Sequence, residues 1–219
     1  MKVNEVRARL TPFPTRLPGI PAAVIPSAID EAGNQFPRPA RTDAERRPAA
    51  VLILIFPRED DEAHLVLIAR AAGEHRHAGQ IGLPGGAIDP TDESVEAAAL
   101  REAREEVNLN VEQAGVRIVG VLPVFDVRVS GFLVHPVVAF AEREPLLEPD
   151  GYEVVEILTP PLATFLPGAP VETVEEMRDG FRLRYGGFRV GEHHVWGATA
   201  MMLGRFGAYL GAAPGAPGT

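Results

Sequence analysis

The 219-residue chain has no cysteine, one lysine and one tryptophan. Without cysteine there is no disulfide, no thiolate metal site and no sulfur nucleophile. Lys2 is the sole lysine, so the remaining 20 of the 21 basic residues are arginines. With abundant Ala, Gly and Pro, that bias reads as the base composition of a GC-rich genome and not as a function. Basic excess is missing too: 30 acidic side chains give a formal net charge of -9 and a sequence pI near 5.2. That balance excludes a nucleic-acid coat and a polybasic membrane anchor. It also poses a problem for any anionic substrate, because like charges repel. Long apolar runs are absent: the longest, Ala49–Phe56, falls far short of the roughly 20 residues that span a bilayer. The first ten residues are charged and carry no signal-peptide core. A soluble, cytoplasmic protein without membrane or nucleic-acid partners is expected.

The remaining composition is ordinary for a globular chain, with 46% hydrophobic and 23% charged residues, which argues against global disorder. The length fits one domain with a sizeable core. Eight prolines precede residue 49: Pro12, Pro14, Pro18, Pro21, Pro26, Pro37, Pro39 and Pro48. They exclude a central strand or a long helix there. Residues 1–47 therefore read as an N-terminal arm, with a short helix at Val3–Leu10 and an irregular surface path over 14–48. Residues 211–219 read as a frayed tail.

Between these ends the pattern is regular. Ala49–Phe56 is a buried strand, Arg58–Glu62 a polar hairpin turn and His64–Arg70 a second strand. A Gly-rich passage, Gly79–Gly86, leads to a helix over about Ser94–Val107. Asp89-Pro90 has the form of an N-cap followed by proline. Val116–Val129 and Phe132–Glu142 read as a hairpin around Ser130-Gly131. Glu153–Leu158 is a short strand, Pro160–Leu166 a helical turn, Phe181–Tyr185 and Phe188–Trp196 strands, and Gly197–Leu210 a closing helix. Many strands with two or three helices predict a mixed sheet flanked by helices.

The informative segment is Leu83–Leu109. At about 100° per residue, Glu102, Glu105 and Glu106 share an arc of roughly 100° beside an apolar stripe of Ala99, Ala103, Val107 and Leu100. Crowded like charges destabilise a helix. A divalent cation would make the cluster favourable, and hard oxygen donors select Mg²⁺ or Mn²⁺. Arg101, one turn before Glu105, is placed to hold a carboxylate. The plain alternative is a solvated acidic face paired with Arg101 and Arg104. The preceding Gly85-Gly86 allows backbone to approach a ligand closely, or is simply a turn. His193 and His194 point to opposite faces of a strand, so at most one could serve a site.

Arg101-Glu-Ala-Arg-Glu-Glu-Val-Asn-Leu109 resembles the second half of the Nudix box, G-x5-E-x7-R-E-U-x-E-E-x-G-U, with U a bulky aliphatic residue. Glu93, eight positions before Arg101, falls where the pattern has its first Glu. Two departures stand out. The glycines Gly85 and Gly86 come one residue early, because the box would put glycine at Ala87. Asn108 replaces the last glycine, and Asn tolerates a left-handed helix stop. Within that superfamily the chain is most similar to the coenzyme A pyrophosphatase branch. Arg70, Ala71, Gly79 and Pro84-Gly85-Gly86 match that branch's upstream motif, His75 followed by Arg76 stands for its second arginine, and Leu83 replaces its Phe. Trp196-Gly-x-Thr199-Ala resembles the start of its last helix. The resemblance covers roughly residues 48–210.

The resemblance implies a Nudix-type α/β/α sandwich (α+β) over 48–210. It also implies a pyrophosphatase cleaving coenzyme A or acyl-CoA to 3′,5′-ADP and (acyl-)4′-phosphopantetheine. Other nucleoside diphosphate derivatives (ADP-ribose, NADH, a nucleoside triphosphate) and a non-catalytic nucleotide-sensing module are the alternatives. Glu102, Glu106 and Glu105 would hold Mg²⁺ or Mn²⁺, with Arg101 completing the catalytic group. Arg70, Arg76, His77, Gly85 and Gly86 would bind the substrate, and His75 belongs to the same cationic cluster. The general base is left open among Glu105, Glu93 and Glu153. A homodimer through the arm is also left open.

Overall fold

The apolar run 49–56 becomes the central strand of the molecule. In the computed structural model, residues 1–37, 46–71, 79–178 and 181–212 are described. The chain runs α1 (Val3–Arg9), β1 (Ser27–Ile29), β2 (Gln35–Pro37), β3 (Arg47–Pro57), β4 (Ala63–Leu65), β5 (Leu67–Arg70), β6 (Ile81–Gly82), β7 (Gly85–Ala87) and α2 (Val95–Val107). It continues through α3 (Val111–Ala114), β8 (Arg117–Val121), β9 (Phe125–Val127), β10 (Phe132–Phe140), β11 (Val154–Leu158), β12 (Glu172–Arg178), β13 (Phe181–Val190), β14 (His193–Val195) and α4 (Gly197–Gly211).

β3 pairs in parallel with β10, from Arg47 opposite Phe132 to Ile55 opposite Phe140. Its other edge takes β7 near its start and β4 near its end, both antiparallel. β8 and β9 pair antiparallel with β10, so the sheet is mixed, as expected. Successive side chains of β3 point to opposite faces. Ile53 and Ile55 pack in the core that holds Leu203 and Phe206 of α4, while Leu52, Leu54 and Phe56 pack with Ala98, Ala99, Ala103 and Val107 of α2. A helix on each face explains why β3 is apolar from Ala49 to Phe56. Truncating Leu52, fully buried, to alanine would cost about 2–5 kcal/mol.

α2 starts where Ser94 Oγ accepts from Ala97 N at 3.1 Å. It stops at Asn108, left-handed with φ 53°, after which Leu109 N donates to Ala103 O. The alanines facing the sheet bring the helix close to it. Among the described residues, no helix is long and apolar enough to cross a membrane.

Several expectations need correction. The arm is not an irregular surface path throughout. β1 and β2 form a ladder on β13, and Val3, Val6, Leu10 and Val24 are buried in the core. Three-residue strands fit between the prolines, Pro37 closing β2 at a sheet edge where its missing N–H is tolerated. His64–Arg70 is two strands: β4 pairs with β3, and β5 joins a separate sheet with β11 and β6. Val116–Val129 divides into β8 and β9 around Pro123, which cannot donate to a ladder. The expected strand Phe188–Trp196 divides, His193–Val195 turning back as β14, while its first part joins Phe181–Tyr185 in one strand through Gly186-Gly187. There the glycines serve close packing: a Cβ on Gly186 would lie 1.9 Å from Ala23 O. β12 and α3 are additional elements. Asp89 is not the cap of α2; its Oδ1 accepts from Thr91 N and Oγ1, and Ser94 does the capping.

Candidate active site

Three segments far apart in sequence converge at the C-terminal half of α2. β7 lies against β3, with Gly85 opposite Val51 and Gly86 opposite Ala50. Gly85 has φ +150°, and a Cβ there would sit 2.3 Å from Ala50 O and 2.6 Å from the Val51 Cα, so only glycine fits. A Cβ on Gly86 would sit 2.6 Å from Glu102 Oε1. Gly85 thus lets β7 lie tightly on β3, and Gly86 lets its backbone lie directly on the Glu102 carboxylate.

Glu106 is the most enclosed of these acids, 3% exposed. Its Oε2 accepts from Gly85 N at 2.7 Å. Its buried Oε1 accepts no hydrogen bond among the described residues, although Arg70 Nη2 lies 3.0 Å away as an ion-pair partner. Burial pushes the Glu106 carboxyl up to about 7, against the opposing pull of Arg70 and the Gly85 N–H. Glu102 is 16% exposed, and burial raises it as well, opposed by Arg101. Glu105 is 60% exposed.

Arg101 ties the acids together. Its Nε and Nη2 grip Asp92 at 2.9 and 3.0 Å, Nη1 reaches Glu102 at 2.9 Å and Glu105 at 3.1 Å, and Nη2 donates to Ala87 O at 3.2 Å. The Asp92 bonds hold Arg101 firmly charged and hold Asp92 below the usual carboxylate range. On the other side, Arg70 donates to Gly85 O at 3.0 Å and approaches Glu153 at 3.7 Å. Glu153 is presented by a turn built on Asp150, whose carboxylate accepts from the N–H groups of Tyr152, Glu153 and Val154. Burial alone would raise Asp150, yet these three donors together lower it.

The arrangement tests the divalent-cation expectation directly. Among the described residues, no three acids or histidines stand ready as a cage, because the carboxylates are turned toward Arg70 and Arg101. The donor set nevertheless fits a hard cation: Glu106 Oε1 is a buried carboxylate oxygen without a hydrogen bond, and Glu102 lies one turn away on the same helix face. A cavity of about 370 Å³ elsewhere is lined by Glu156, Thr159, Arg189 and His193 and by none of the α2 acids. Three of its charged groups are already paired, His193 with Glu156 at 2.9 Å and Arg189 with Glu172 at 2.6 Å.

With this geometry in view, the sequence model of the NUDIX domain family matches residues 46–171, more than half of the chain. The chain is a Nudix hydrolase. It is 37% identical over 193 residues to an uncharacterized Nudix hydrolase NudL of Cronobacter sakazakii, covering 86% of this chain and 98% of that one. The NudL of an Enterobacter species is 37% identical over 178 residues, covering 81% and 90%. Among solved structures, the Nudix hydrolase RenU of M. smegmatis is similar at 26% identity and a TM-score of 0.46, covering 63% of this chain and 80% of that one.

In this Nudix hydrolase the fold brings together Arg101, Glu102, Glu105, Glu106, Gly85, Gly86 and Arg70. Arg76, His77 and His75 lie outside the described residues. Glu93 is exposed just before the cap of α2, and no hydrogen bond or ion pair among the described residues ties it to the other acids. Arg70 is engaged with Glu106 and Gly85 O and does not stand free for a substrate. Two supporting residues escaped the sequence reading. Asp92 has no role in that reading, and its partner Arg101 is nine residues on. Asp150 carried a usable signal, since Pro-Asp-Gly at 149–151 is a turn signature.

Proposed function

We propose that this Nudix hydrolase cleaves the pyrophosphate bond of coenzyme A or acyl-CoA, giving 3′,5′-ADP and (acyl-)4′-phosphopantetheine. Glu102, Glu106 and Glu105 would hold Mg²⁺ or Mn²⁺. The cation, when bound, neutralises pyrophosphate oxygens and lowers the pKa of a water molecule. The chain supplies the rest. Arg101 fixes Glu102 and Glu105 through its anchor on Asp92, and Gly85 N–H fixes one lobe of Glu106. Gly85 and Gly86 would let main-chain atoms approach the metal or the phosphates, and Glu153 stands across Arg70 as an acceptor for a proton from water.

The observation that carries this reading is the buried Glu106 Oε1 beside Glu102, a carboxylate pair with a backbone strand of two glycines laid against it. The coenzyme A assignment rests on the resemblance of the upstream and last-helix segments to that branch, and the two segments meet in the fold. Thr199 Oγ1, from the last helix, donates to Ile81 O at 3.0 Å, between Gly79 and Pro84 of the upstream motif. Arg76 and His77 belong to the same motif and would grip a phosphate of the substrate.

A panel of CoA, acetyl-CoA, ADP-ribose, NADH and a nucleoside triphosphate, incubated with Mg²⁺ or Mn²⁺ and analysed by product mass, tests the reading. Release of 3′,5′-ADP is expected. Turnover of ADP-ribose or NADH with none of either CoA compound would move the chain to another Nudix substrate class.

A further inference from the structure

Arg70 presents a problem that substrate binding does not explain. Its guanidinium sits 3.0 Å from Glu106 Oε1, 3.0 Å from Gly85 O and 3.7 Å from Glu153 Oε2, and Asp150 feels its charge. Glu106 Oε2 is taken by Gly85 N, so Oε1 is the only lobe of this buried carboxylate open to a cation. A cation on Oε1 would therefore share one oxygen with a guanidinium nitrogen 3.0 Å from it. At such range in a partly buried site, positive charges repel strongly.

We propose that Arg70 is a positioning residue that serves as the resident counter-cation of Glu106 and gives up that lobe when a divalent cation binds. Arg70 neutralises the buried carboxylate in the metal-free enzyme, and its guanidinium is released toward substrate phosphate only when Glu106 has another cation. Metal loading and the availability of Arg70 for an anion are thereby one event. Being 28% exposed, Arg70 can swing toward solvent without unfolding β5. The inference rests on the proposed metal role of Glu106 and adds that Arg70 opposes metal binding.

The test is Mn²⁺ affinity without substrate, measured by titration calorimetry or by loss of the free-ion paramagnetic resonance signal. Arg70→Gln removes the charge while keeping hydrogen-bonding capacity, and is expected to bind Mn²⁺ about tenfold or more tightly than wild type. Arg70→Lys keeps the charge on a stem that cannot span Glu106 and Gly85 O together, and should fall between the two. If Arg70 is only a structural tie between β5 and β7, Arg70→Gln melts lower in chelator while its Mn²⁺ affinity is unchanged; unchanged or weaker affinity overturns the proposal. Should Arg70→Gln not fold, Arg70→Lys decides alone, with tighter binding supporting the proposal and equal or weaker binding overturning it. Absence of Mn²⁺ binding in wild type and variants alike removes the metal reading itself, a different result from equal affinities.

Discussion

Replacing Glu106 by glutamine separates a metal ligand from a structural ion pair. In the folded chain the Glu106 carboxyl sits at about 7, against an ordinary 4.5. An acid raised in this way makes the folded state the tighter proton binder, so stability is full below about 4.5 and declines as pH rises to about 7. Above that the loss is complete. The difference corresponds to about 3 kcal/mol, already including the favourable effect of Arg70 and Gly85 N–H. Glutamine resembles the protonated acid at every pH. Glu106→Gln in chelator at pH 8 should therefore be more stable than wild type by up to about 3 kcal/mol, a rise of roughly 6–12 °C in Tm. Near pH 4.5 the two should melt together. Adding metal at about 100 times its Kd should stabilise wild type by about 2.7 kcal/mol and leave the variant where it was. Calorimetric melting at both pH values, with and without Mg²⁺, measures all four states. A variant destabilised by several kcal/mol at both pH values in chelator would refute the reasoning, because Glu106 would then be an ion-pair strut.

The two glycines of β7 should part company. Gly85→Ala meets backbone in a positive-φ position and is expected to lose about 3 kcal/mol or more in denaturant melts. Gly86→Ala meets only the movable Glu102 carboxylate, so turnover should fall at least about tenfold with a stability change under about 1 kcal/mol. Asp92→Asn loosens the Arg101 clamp, and kcat should drop while Tm barely moves; full kcat would show that Glu102 and Glu105 need no such anchor. Deleting residues 1–10 removes Val3, Val6 and Leu10 from the core at roughly 1.5–3 kcal/mol each, and should leave too little stability for a folded protein by circular dichroism.

Elements whose signal is local were legible from the residues alone. The apolar run of β3 announced a strand buried on both faces, and α2 was bounded within a residue by Ser94 and Asn108. The three glutamates could be placed on one helix arc because the helix itself fixes their spacing. What escaped depended on partners distant in sequence. β1, β2 and β12 are short or charged strands that become strands only through pairing, directly or through one another, with β13. Gly186-Gly187 reads in the sequence as a gap between two strands because the closeness of Ala23 O is a tertiary fact. The same holds in the site. Arg70 matched a motif and so read as a substrate ligand, whereas its pairing with Glu106, thirty-six residues away, exists only once β5, β7 and α2 are packed.

Under the proposed function, a strongly acidic chain handles a polyanion because a divalent cation inverts the sign of its carboxylate cluster. The most direct measurement is the mass of the products formed from coenzyme A by wild-type enzyme in Mg²⁺, in Mn²⁺ and in chelator. The proposed function predicts 3′,5′-ADP and 4′-phosphopantetheine with metal and intact coenzyme A in chelator. Equal cleavage with and without metal would contradict it, and so would intact coenzyme A under all three conditions.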